Sequence, residues 1–167
     1  MGRLESQGEK VKSRLEEMIF KQGAVRLQRK KKAGQKTKEK VKYWLESSED
    51  DWRVAKHLFE KADYSYSLFF GHLAVEKILK AIYVDRLNDN PPFTHRLVYL
   101  AEKASLELPE EKLRLLEIVT DFNLEARYPD EKFSFKRKCT KKFTKKYLDE
   151  IGVMKKWLSK HIKQSSL

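Results

Sequence analysis

Apolar residues recur at three- and four-residue steps through most of this chain, and no competing two-residue alternation interrupts them. Val41, Trp44, Leu45, Ser48, Trp52, Ala55, Leu58 and Phe59 form one such stripe and predict a helix over about Lys40–Lys61. Ser67–Tyr83 is apolar nearly all round, so it predicts a buried second helix, capped by Asp63 or Ser65 and running to about Leu87. Asn88–Pro92 is a strong break, after which Thr94 is a candidate cap for a short helix carrying Leu97, Leu100, Ala101 and Ala104. Pro109 suits a first helical position, with Glu110 and Glu111 facing the positive helix end. Leu113, Leu116, Val119, Phe122 and Ala126 give that fourth helix its apolar face. Arg127–Cys139, broken by Pro129, reads as a loop. A last helix over about Thr140–Lys163 turns Phe143, Tyr147, Ile151, Met154, Trp157 and Leu158 inward. The pattern predicts an all-α protein: an antiparallel up-and-down bundle of four to five helices.

Before that bundle the pattern weakens. Val11, Leu15, Met18 and Ile19 permit a short amphipathic helix, and Arg26–Gly34 then reads as a basic linker or tail. The chain therefore divides into an extension over 1–39, partly helical or disordered, a bundle over 40–163, and a tail over 164–167. Charge sharpens the division. Residues 1–39 hold 12 Lys/Arg against 5 Asp/Glu, and the rest holds 25 against 20. The stretch between Lys40 and Lys163 contains no Gln, which is similar to the Lys/Glu-rich, amide-poor composition of proteins from hot environments. The single Cys139 cannot close an internal disulfide, and with no membrane-length apolar run the expectation is a cytoplasmic protein.

Charge inside the buried stretch is the most informative chemistry, because an unpaired buried charge is costly. His72, Glu76, Lys77 and Lys80 all lie there. His72 and Glu76 are four residues apart, as are Glu76 and Lys80, so a polar core built on His72 and Glu76 is geometrically available. Glu46, Glu49, Asp50 and Asp51 read as a solvated helix face. Asp85–Asn90 lacks the glycine and closing Glu of a calcium loop, and with no C-x-x-C or H-E-x-x-H pattern neither metal nor cofactor is expected. Residues 136–146 carry seven cations and no acid. With Phe133, Phe135 and Phe143 interleaved, the run suits a phosphate backbone, and Lys136, Arg137, Lys138, Lys141 and Lys142 become candidate phosphate ligands together with Lys80. The same cations suggest a lowered pKa for Cys139.

Three segments together carry a resemblance: Ala74–Ala81, then Thr94–Leu97, then Glu125–Asp130. In this order and spacing the chain resembles the HEPN domain family of small helical proteins, from about Lys40 to about Ile162. The resemblance implies a homodimer, and a helical module that works beside a minimal nucleotidyltransferase and helps to bind nucleotide or RNA. It also offers an alternative, a metal-independent ribonuclease toxin of a toxin–antitoxin pair. In that class an Arg is followed, after four to six residues, by a His. Arg127 sits at the matching place, but the residues at those distances are Lys132, Phe133 and Ser134. With no histidine there, His95 of the family-like Thr-His-x-Leu pattern, or His72, would have to serve as the base. Arg127 is therefore the first candidate both for a catalytic role, with His95, and for clamping a phosphate. Whether the protein is an enzyme stays open, with the missing His leaning against it.

Overall fold

In a computed structural model of the chain, the backbone is described over 2–163 and side chains at 14 and 16–163. The expected tail at 164–167 and the side chains of Val11 and Leu15 lie outside the described residues. Six helices and no strand occur among the described residues: α1 (Gly2–Glu60), α2 (Tyr64–Leu87), α3 (Leu97–Lys103), α4 (Glu110–Arg127), α5 (Ser134–Lys138) and α6 (Lys141–Ser159). The all-α bundle expected from the pattern is the observed fold.

Two compact units share the chain, Met1–Lys36 and Thr37–Leu167. The first is helical, and residues 16–36 within it are exposed. Arg26–Gly34 is therefore helix and not the linker that its basic composition suggested. Its Lys, Arg, Gln and Ala residues are good helix formers, and no proline precedes Pro91 to stop the helix.

The second unit is the bundle. Its direction can be read from single contacts. The Ser48 hydroxyl donates to the Ala74 carbonyl and the Ser67 hydroxyl to the Ala55 carbonyl, both at 2.7 Å, so α1 and α2 run antiparallel. Lys155 of α6 reaches Glu49 at 2.9 Å, and Gly152 faces Trp52, so α6 is antiparallel to α1 as well. Gly71 lets α2 approach α6 closely: a Cβ there would lie 3.0 Å from Ile151 Cδ1. Leu68, Ile78, Leu79 and Ile82 of α2 are fully buried against Leu97, Leu100, Leu116, Ile151, Met154 and Leu158. Burying each such side chain stabilises the fold by about 1.5–3 kcal/mol.

Several helix ends differ from expectation. Asp63 is the residue before α2, yet its side chain makes no capping bond. α3 begins at Leu97 after Arg96; the Thr94 hydroxyl instead accepts from the Arg96 N–H at 3.2 Å. The expected loop after α4 contains α5, whose first N–H, at Ser134, is accepted by Asp130 at 2.6 Å. Asn88 ends α2 in the left-handed conformation (φ 53°), a short polar residue that tolerates it.

Candidate functional site

α2 places His72, Glu76 and Lys80 on successive turns of one face, and the bundle buries all three. The Glu76 carboxylate is their centre. Lys80 Nζ donates to Oε1 at 2.6 Å, while His72 Nε2 lies 3.1 Å and His95 Nδ1 2.9 Å from Oε2. The other nitrogen of His72 is 3.1 Å from the Val119 carbonyl of α4. Burial raises the Glu76 carboxyl pKa, but hydrogen bonds from His72, Lys80 and His95 more than offset it and bring it down to about 2. Lys80 also lies over the Trp44 ring, 5.1 Å from its centroid.

His95 is half-exposed, with 44% of its side chain open to solvent, on the segment between α2 and α3. The fully exposed Phe93 ring meets it edge-on at 6.3 Å. Lys40 donates to the Asn90 side chain at 2.8 Å, and Thr37 bonds Asn88, so this segment is tied to α1. The His72–Glu76–Lys80 line was legible as four-residue spacing. His95 reaching the same carboxylate was not, because it is nineteen residues away across an irregular stretch. Its ligand-type atom, with those of His72 and Glu76, forms a group whose members all lie within 4.8 Å of one another.

Of the acidic residues of α1, Glu46, Glu49 and Asp50 lie on an exposed face as expected, and Asp51 does not. Asp51 is buried and pairs with Lys77 at 2.6 Å; Glu49 pairs with the buried Lys155, and Asp50 with Arg53. Burial lowers the Lys155 pKa, with Glu49 opposing, and its ammonium lies 5.0 Å from the Trp52 centroid.

Arg127 ends α4 and is exposed. It does not pair with Asp130, which is engaged by Ser134; its Nε donates to the Asn123 carbonyl at 3.2 Å, and its guanidinium lies 5.4 Å from the Tyr128 ring centroid. Lys80 and His95 are turned to Glu76. Thr120, whose hydroxyl accepts from Leu97 N–H at 3.3 Å, precedes Arg127 by seven residues, about 10 Å of helix rise. No bond joins Arg127 to His95 or Lys80 among the described residues.

The basic run is divided between α5 and the start of α6. Phe135 and Cys139 turn inward, Phe135 lying 5.6 Å from Phe122 of α4, which in turn meets Phe143 and Tyr147. Lys136, Arg137, Lys138, Lys141 and Lys142 are left exposed, as is Phe133. Burial, with Glu125 nearby, pushes the Cys139 thiol up to about 12 in spite of Lys138, so the expected lowering does not occur.

A family model of the HEPN domain matches residues 41–161. The structure is similar to the crystal structure of TT1696 from Thermus thermophilus, with a TM-score of 0.62 at 16% sequence identity. That likeness, which shows the fold alone, covers 73% of this chain and 98% of that one. Among curated proteins none matches the sequence.

Proposed function

Because this chain belongs to the HEPN domain family, we propose that its bundle is a nucleotide- or nucleic-acid-associated module that grips phosphate where α4 ends, α5 lies and α6 begins. One observation carries the reading. Arg127, Lys136, Arg137, Lys138, Lys141 and Lys142 are exposed there, and none forms an ion pair among the described residues. Several cations of α1, α4 and α6 are, by contrast, paired within their own helix: Lys42 with Glu46, Arg114 with Glu110, Lys145 with Asp149, Lys146 with Glu150. An unneutralised cluster is the electrostatic footprint of a polyanion site. Tyr128 and Phe133, both exposed beside it, offer ring faces to bases.

The module acts as a homodimeric partner of a minimal nucleotidyltransferase, a role supported by the family resemblance and one that needs no catalytic base. Ile118 and Leu124 are exposed apolar side chains on α4 that a second copy would cover. The ribonuclease alternative needs His72 or His95 beside Arg127. Both are engaged by Glu76, and no histidine follows Arg127 at the required spacing.

Arg127→Ala tests the phosphate reading. Binding of ATP or a short single-stranded RNA, followed by fluorescence anisotropy, weakens by about 1.5–3 kcal/mol while the melting temperature is kept. A lower melting temperature with unchanged binding would make Arg127 a helix-end brace and sink the reading. Arg127-dependent cleavage of RNA without metal would restore the ribonuclease.

A further inference from the structure

We infer that His72, Glu76 and His95 form a site for one divalent transition-metal ion of the zinc type, ligated by His72 Nε2, Glu76 Oε2 and His95 Nδ1. The argument begins at His72, which solvent does not reach. Its Nδ1 faces the Val119 carbonyl at 3.1 Å, and a carbonyl can only accept, so the ring hydrogen belongs on Nδ1. In the neutral ring Nε2 then aims a lone pair at Glu76 Oε2, 3.1 Å away, and a carboxylate oxygen can only accept as well. Two lone pairs facing each other in a buried place call for a cation between them. That cation is either a second ring proton or a metal ion.

The surroundings favour the ion. A second imidazole, His95, converges on the same oxygen at 2.9 Å. Zinc bonds of about 2.0–2.2 Å imply ligand–ligand edges of roughly 3.3 Å in a tetrahedron; the two edges at Oε2, 3.1 and 2.9 Å, expand by a few tenths of an ångström, and the ring nitrogens of His72 and His95, within 4.8 Å of each other, close toward the same value as the half-exposed His95 swings in. The outer contacts are those a metal site uses. The Val119 carbonyl fixes the tautomer and tilt of His72, and Lys80 holds Oε1, which leaves Oε2 as a single-oxygen ligand. Two imidazoles with one carboxylate select against calcium and magnesium, which prefer all-oxygen shells. His95 is half-exposed, so the movement of its ring gives an ion a way in. Lys80 places a like charge behind the carboxylate, which lowers the affinity below that of the same three ligands alone. The inference stands or falls separately from the phosphate reading, since no residue of this trio belongs to the basic cluster.

The experiment uses the full chain and the metal alone. Zinc titrated calorimetrically is expected to bind one to one, and cobalt(II) in its place to give the intense visible absorption of a four-coordinate ion. His95→Ala, on a half-exposed segment, is expected to lower zinc affinity about tenfold or more with an unchanged far-ultraviolet circular dichroism spectrum. His57→Ala, at an exposed position on α1, is expected to leave it unchanged. Absence of zinc binding, or binding indifferent to His95→Ala, overturns the site. So does a nuclear magnetic resonance spectrum of the zinc-treated protein in which both ring nitrogens of His72 keep their hydrogens, because the proton then occupies the place assigned to the ion.

Discussion

Without a metal ion, a proton bridges His72 and Glu76, and the buried Glu76 carboxylate then accepts three hydrogen bonds; its carboxyl pKa falls from 4.5 to about 2 although burial alone pushes it upward. A carboxylate with a depressed folded pKa contributes stability above its unfolded value and loses it as pH falls through the folded one. With chelator present, urea unfolding should therefore lose about 3 kcal/mol of stability between pH 5 and pH 2 that traces to this residue. Glu76→Gln, already neutral, should flatten that part of the profile; an equally steep profile in the variant would assign the acid sensitivity elsewhere. Cys139 makes the opposite case. Burial and Glu125 raise its thiol to about 12, so almost no thiolate is present near neutrality. Iodoacetamide at pH 8 should label it far more slowly than free cysteine, and rapid labelling of the folded chain would contradict the burial.

Among the helices, α6 depends on one side chain at its start. The Thr140 hydroxyl accepts from the Phe143 N–H at 3.2 Å, and Thr140→Ala should cost about 1 kcal/mol in chemical denaturation, with Thr140→Ser nearly neutral. Equal stability of the alanine variant would mean that water replaces the cap. The strong local signals were legible from the sequence: Pro109 before α4, Asn88 after α2, Pro129 beyond Arg127, and the all-round apolar Ser67–Tyr83. The continuation of α1 through Gly34 was not, because a basic composition says nothing about helix breaking, and a lone glycine costs only about 1 kcal/mol. α5 escaped because five residues cannot show a period; Asp130 and the packing of Phe135 on Phe122 define it. At the site, spacing within α2 revealed His72, Glu76 and Lys80. Partners joined only by folding, such as His95 with Glu76 or Lys155 with Glu49 across 106 positions, leave no local trace.

Across the chain as a unit, charge is the dominant theme. The net +12 is divided between the 1–39 stretch and the bundle. RNA binding by the full chain, and by a chain starting at Lys40, should weaken with salt, the log–log slope steepening by roughly 0.7–0.9 for each phosphate neutralised. A flat slope in both would remove the polyanion reading. Sedimentation equilibrium at micromolar concentration should give a dimer, and a monomer alone would rule out the paired state that the family resemblance suggests. No helix among the described residues is long and apolar enough to cross a membrane. The Glu76 carboxylate also governs how the bundle breathes. Its donors come from α2 and the segment before α3, and His72 extends the chain of contacts to α4. The 88–96 segment cannot swing away without stripping a buried anion of a partner, so its opening is tied to that of the core around it. The Leu97 amide, held by Thr120 just beyond, should exchange its hydrogen with solvent at the tempo of α2 and α4 and not at that of a surface loop.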